Sequence, residues 1–264
     1  MHKIWIIVQK EWSEVFRNRM VLFSVGFLPL ILTALPLAIL YGIGGAGSDP
    51  GEIISASEMP PGINSLCRDL SVGDCGAYFL LSQFLLLFML LPLMIPVTIA
   101  SYSIVGEKVT RTLEPLLATP VTTMELLGGK SAAAVIPGVL MTWAAFAVFS
   151  VGVRILSTPA VMARLADPMW LLAIFVVGPL LALAAVSVAV MVSSRTSDPR
   201  VAEQVSALVM LPLFLILVGQ VTGLIFLDTQ LVLYIAVGLV FVDTGLMAFA
   251  VNLFQRETIL TRWH

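Results

Sequence analysis

Charge is what this sequence has least of: only 11% of its 264 residues are Asp, Glu, Lys or Arg, against roughly 25% in soluble domains. Histidine is confined to the two ends, His2 and His264. A Ser-His-Asp triad or an HExxH zinc site therefore cannot be built within one chain. A long polar segment is missing as well. The longest stretch outside the apolar runs, 44–77, is shorter than the roughly 50 residues of the smallest independent domains, so any energy source has to be a partner or an ion gradient. Gly129-Lys130-Ser131 resembles the end of a phosphate-binding loop, but the glycine that motif needs upstream is Met124, and no strand precedes it. Asp243-Thr244-Gly245 echoes an aspartic-protease triplet, yet it lies inside an apolar run with no sheet to hold it.

What is present is hydrophobic: 59% of the residues are apolar and the mean hydropathy is +1.03. A hydrocarbon core of about 30 Å takes about 20 helical residues to cross. Six runs meet that length, at about 21–43, 78–105, 132–156, 169–193, 204–227 and 230–254. The pattern predicts an all-α polytopic membrane protein with a single transmembrane domain over 1–264. With the N-terminus inside, all but three of the 14 basic residues fall on that side, the exceptions being Arg68, Arg154 and Arg164. The positive-inside rule thus puts both termini on the cytoplasmic side of a membrane, expected to be the plasma membrane.

Residues 1–20 read as an amphipathic interfacial helix. Trp5, Val8, Trp12, Val15 and Phe16 recur at helical spacing, with Lys3, Gln9, Lys10, Ser13, Glu14 and Arg17 around them. The following apolar run is too long for a cleaved signal peptide. The segment fits either a plain membrane anchor or a docking element for a partner. The loop over 44–77, expected outside, holds both cysteines. Cys67 and Cys75 are close enough in sequence for a short-loop disulfide on an oxidising side; two free thiols are the alternative, and the absence of a nearby His argues against a metal site.

Within the spans, Asp243 is an ionisable group in hydrocarbon, accompanied by Gln83, Gln220 and Asn252. Such residues make either a substrate or ion contact or an interhelical hydrogen bond. Seven prolines also fall in spans, Pro29, Pro36, Pro92, Pro96, Pro137, Pro179 and Pro212, and predict kinked helices.

The most informative stretch joins the second and third spans. Glu107 and Arg111 are spaced i,i+4, and Val109, Leu113, Leu116 and Leu117 form a stripe, so the second span is predicted to continue as an amphipathic helix. Pro115 and Pro120 break it. Thr119 with Pro120, or Thr122 with Glu125 as a capping box, can start the next helix.

Here the chain resembles the permease subunits of ABC-2 type transporters, whose signature is similar to G-E-K-x-x-G-T-L-E-x-L-L-x-T-P-V followed by a G-K pair. The matching residues are Gly106-Glu107-Lys108, Thr112-Leu113-Glu114, Leu116-Leu117, Thr119-Pro120-Val121 and Gly129-Lys130, with Arg111 where the family commonly has glycine. Lys10-Glu11-Trp12 through Arg17-Asn18-Arg19 resembles the family's entry helix, and Phe254-Gln255-Arg256-Glu257 its closing segment. The resemblance implies a half-transporter, an exporter, that pairs as a homodimer with two separate ATP-binding subunits. These partners bind the ATP and Mg; no cofactor and no catalytic residue is expected in this chain. It further implies a coupling elbow over 107–125, with Glu107, Lys108, Arg111, Glu114, Leu116, Leu117, Thr119 and Pro120 facing the ATPase. Short re-entrant helices, frequent in the family between the last two spans, would have to be carved from 219–234 or be missing. The alternative function is an ion-driven transporter or channel using Asp243.

Overall fold

The computed structural model describes residues 2–45, 70–109, 122–225 and 227–253. All secondary structure among them is helical. Helix α1 (His2–Val15) is followed by α2 (Arg19–Gly45), α3 (Val72–Phe88), α4 (Leu91–Val109) and α5 (Thr123–Leu156). Two short helices, α6 (Pro159–Leu165) and α7 (Pro168–Leu172), lead through a π-helical turn at Ala173–Val177 into α8 (Gly178–Ser193). Helix α9 (Pro199–Ser206), a 3-10 turn at Ala207–Met210, α10 (Leu211–Val221) and α11 (Thr229–Leu253) complete the order.

Six stretches among the described residues are long and apolar enough to cross a membrane: Val21–Gly42, Gly73–Val109, Met124–Leu156, Pro168–Ser193, Pro199–Val221 and Thr229–Ala250. The second is central, with 83% of its apolar stretch buried inside the protein, against 17% for each of the last two. It packs through α4 against α5 and α8. Along α8 the residues Ala182, Ala185, Ala189 and Ser193 are wholly buried; small side chains at this helical spacing let backbones approach closely where lipid supplies no hydrophobic drive between helices.

The structure departs from the sequence reading at several boundaries, each with a local cause. The third span begins near Met124, because Thr122 and Glu125 form the capping box: the Thr122 hydroxyl accepts from the Glu125 amide at 3.2 Å, and the Glu125 carboxylate accepts from the Thr122 amide at 2.9 Å. The second span starts near Gly73, where the Ser71 hydroxyl caps α3 by accepting from the Asp74 amide at 3.1 Å. Residues 72–77 are thus helical, not loop. The second span is also two helices, broken at Met89 and Leu90, directly ahead of Pro92, which has no amide to offer the carbonyl of Phe88. Between the last two spans, residues 222–225 make a turn, with Gly223 at φ 74°. No re-entrant helix is found there among the described residues. Asn252 lies in α11.

Two other prolines free carbonyls that side chains then occupy. Pro137 inside α5 cannot donate to Ala133, and the Trp12 indole of α1 donates to that oxygen at 2.9 Å. At Pro179 the chain relaxes into the π turn, in which the Gly178 amide reaches Ala173. Ile174 is left without its usual backbone donor, and the Trp143 indole donates to its carbonyl at 3.3 Å. In a bilayer no water can do this, so the indoles hold the kinks in place.

Helices α4 and α5 touch at Gly138, where an added Cβ would lie 2.5 Å from the Pro96 ring. Gly138→Ala should lower stability by about 1–3 kcal/mol through overpacking. Gly26→Ala, with nothing within 4 Å of the new methyl, should not. Thermal unfolding of the detergent-solubilised variants, followed by tryptophan fluorescence, checks this; equal melting temperatures would contradict the close α4–α5 contact.

Candidate functional site

Helix α1 lies against the end of the bundle where α4 finishes and α5 begins. Val8 and Val15 are buried on its inner face, while Trp5 and Phe16 are largely exposed. Residues 8, 11 and 15 share one face, so Glu11 is carried inward with the valines and is only 2% exposed. The approach is close because Gly129 has no side chain: a Cβ there would lie 2.8 Å from Ile7.

The buried carboxylate is answered by Lys130, one residue beyond that glycine. The Lys130 ammonium lies 2.8 Å from Glu11 and 2.8 Å from Glu107, and donates to the Ser103 hydroxyl at 3.0 Å. Ser103 in turn donates to the second oxygen of Glu11. Lys10 closes the network from the rim, 2.6 Å from Glu107 and 3.4 Å from Glu14. Glu107 and Lys130 are 5% and 6% exposed. Three helices, α1, α4 and α5, are thereby joined at one ion cluster. The carboxylates of Glu11, Glu14 and Glu107 come close enough together to hold a cation, but the ammonium groups of Lys10 and Lys130 already stand where it would bind.

Burial alone pushes the Glu11 carboxyl up, but the charge and hydrogen bond of Lys130, with the Ser103 hydroxyl, outweigh it and hold the group below its ordinary value. Burial also works against the charged form of Lys10, and the hydrogen bond and charge of Glu107 overcome it, raising that group. The arrangement has no nucleophile or general base facing a cleft; it is a clamp, and its chemistry is electrostatic.

A second tie lies on the adjacent side. Lys108 donates to the carbonyls of Ser194 and Thr196 at 3.2 and 3.1 Å, just past the end of α8, where cationic groups satisfy the free carbonyls and the helix dipole. Thr98 of α4 donates to Glu203 of α9 at 2.5 Å. The last turns of α4 are therefore tied to α1 and α5 through Ser103 and Glu107 and to the end of α8 through Lys108.

Of the residues expected to face an ATPase, Glu107 and Lys108 are turned into the protein. Arg111, Glu114, Leu116, Leu117, Thr119 and Pro120 lie outside the described residues. Asp243 is 6% exposed, and neither of its carboxylate oxygens has a hydrogen-bond partner among the described residues. Gln220 donates to Ser82 at 3.2 Å, and the Gln83 amide is without a partner among the described residues. Cys75 is disulfide-bonded, whereas Cys67 lies outside the described residues. At the same end of the molecule, the Thr158 hydroxyl donates to Asp74 at 2.6 Å, which joins the start of α3 to the start of α6. Sequence reasoning did not single out Glu11, Lys130 and Ser103 as one unit. The available signal was a glutamate placed on the apolar face of α1 together with a glycine-lysine pair at the head of a span.

These features define a helical membrane protein of six candidate spans whose motif residues gather at one end of the bundle. A family model described as "ABC-2 family transporter protein" matches residues 5–252, and the chain belongs to that family. It is accordingly a transport permease component of ABC transporters and not itself the catalytic part. None of the curated proteins matches the chain.

Lys130→Met should weaken the clamp by about 3–5 kcal/mol, since it leaves two buried carboxylates without their shared cation; adding Glu11→Met should recover part of that loss. Limited proteolysis at α1 reads both changes. The pH dependence has two arms. The contribution of Glu11 is present above its ordinary value of 4.5 and is lost as pH falls through its lower folded value. That of Lys10 is fully present below 10.5 and is lost as pH rises through its higher folded value. Hydrogen exchange of the α1 amides, corrected for intrinsic rates, should show protection flat between those limits and falling outside them. Protection that persists well into acid would contradict the role of Glu11.

Proposed function

We propose that this chain is the membrane-spanning half of an ATP-driven exporter of the plasma membrane, with both termini cytoplasmic. Two copies form the pathway, and two separate ATP-binding subunits, carrying ATP and Mg, dock on the elbow at 107–125. The observation that supports this reading is the ion cluster: Lys10, Glu11, Glu107 and Lys130, which belong to the motif pieces that flank the elbow, clamp α1 to both of its ends. A push on the elbow would then reach α1, α4 and α5 as one body. Glu107 and Lys108 act as positioning residues, while Arg111, Glu114, Leu116, Leu117, Thr119 and Pro120 supply the surface that meets the ATPase.

ATP supplies the energy when the partner subunits bind and hydrolyse it. For that energy to move the permease, the closed ATPase pair must bind one permease conformation better than the other, since equal affinity shifts nothing. Cargo crosses between the two copies, along walls that the composition makes mostly apolar. A Cys67–Cys75 disulfide steadies the outer loop in this reading, and α1 lies in the membrane interface.

Tagged protein, gently solubilised from native membranes, should copurify two ATP-binding subunits per permease pair. Glu114→Lys should reduce that association at least tenfold by placing like charges against the docking surface, without disturbing the cluster. Undiminished association would overturn the elbow assignment. A second reading is supported by the unpartnered carboxylate of Asp243, an ion-coupled transporter. Its test is Asp243→Asn: transport that stops while ATPase association is retained favours it, and unaltered transport rejects it.

A further inference from the structure

A cavity of about 460 Å³ lies between α4, α8, α10 and α11, well away from the ion cluster, and every residue lining it is apolar. Three irregular pieces of backbone border this one space: Met89 at the break between α3 and α4, Ala173 and Val177 in the π turn, and Val209 in the 3-10 turn. Irregular backbone at membrane depth is tolerated where it is buried or lines a cavity, and π segments inside helices are frequent at functional sites. The cavity opens at Pro212, Gly238 and Val242, residues of α10 and α11 that are exposed on the side of the bundle.

At its far end the cavity shares Met169, Trp170 and Leu227 with a small recess of about 10 Å³ that is polar in part, lined also by Tyr78, Ser82 and Gln220. Gln220 is 6% exposed. Its amide nitrogen donates to Ser82, and its amide oxygen has no partner among the described residues. A buried acceptor of this kind calls for a donor.

We propose that this cavity and recess together bind one uncharged, single-chain amphipath, its hydrocarbon tail in the cavity and a hydroxyl or amide donor of its head on the Gln220 carbonyl oxygen. The volume fits the tail. It is three times that of an engineered apolar cavity of about 150 Å³ that takes one benzene ring, which corresponds to roughly eighteen carbons. A helix from a second copy is too large, because ten residues of helix displace on the order of 1,200 Å³. The recess has room for about one water-sized group, so it admits a hydroxyl and excludes a phosphodiester. No charged side chain lines either space, which selects against ionic heads. The site lies within one copy of the chain and does not depend on ATPase docking, so it stands or falls separately from the transporter reading.

The test uses the full chain alone in phosphatidylcholine nanodiscs, with hexadecanol carrying a mid-chain photoreactive diazirine as the probe. Labelling should be saturable, should fall on α10 and α11, and should be competed by unlabelled hexadecanol but not by added phosphatidylglycerol. Gly238→Phe should cut it at least tenfold. A Cβ there meets nothing within 4 Å, and Gly238 lines the cavity, so the ring is expected to obstruct it; an unchanged melting temperature of the variant is the control for an intact fold. Gln220→Leu should weaken competition by hexadecanol about fivefold, the worth of one neutral hydrogen bond. Labelling that does not saturate, that phosphatidylglycerol competes equally, or that Gly238→Phe leaves unchanged would overturn the site.

Discussion

The ammonium of Lys130 on α5 is buried among groups from α1 and α4, and much of the architecture at that end of the bundle follows from keeping it paired. A buried cation without partners costs several kcal/mol. Glu11 and Glu107 supply the charge, and Ser103 supplies a further acceptor while it satisfies the remaining oxygen of Glu11. Glu11 can reach Lys130 only because Gly129 lets α1 approach, and α5 presents Lys130 at the right height because the Thr122–Glu125 box sets where that helix begins. Removing Glu11 or Glu107 takes a charged partner from the buried Lys130 ammonium.

A second constraint operates along the spans, where backbone carbonyls have no water to turn to. Proline removes a donor wherever it stands, and the protein answers in two ways. Tryptophan indoles cover Ala133 and Ile174. Elsewhere the helix breaks or changes its winding, at 89–90, 173–177 and 207–210. The two constraints meet at Trp12, which belongs to the clamp by position and to the proline kink of α5 by its hydrogen bond.

Hydropathy made the six spans legible, because the bilayer sets their length. The motif between the second and third spans made the family legible. Which face of a helix turns inward was harder to read. In α1 the valines and tryptophans marked a stripe, but nothing local says that Glu11 belongs on it; its counter-charge is 119 residues away. Glu107 looked like a surface residue paired with Arg111, and it is buried because Lys10 and Lys130 converge on it. The break in the second span was hidden for another reason: Pro92 and Pro96 are equally apolar in a hydropathy profile, yet α4 runs on through Pro96. The cavity could not be read at all, since an apolar side chain facing lipid and one facing a void have the same composition.

The distance along the chain between Glu11 and Lys130 also bears on biogenesis. At a synthesis rate of about 5–20 residues per second, the 119 residues between them take roughly 6–24 s to emerge. During that interval α1 is complete but has neither Lys130 nor Gly129 to dock against, and the first two spans enter the membrane without it. The clamp can close only when the head of the third span arrives. Until then the Glu11 carboxylate lacks the buried ammonium that it meets in the finished protein.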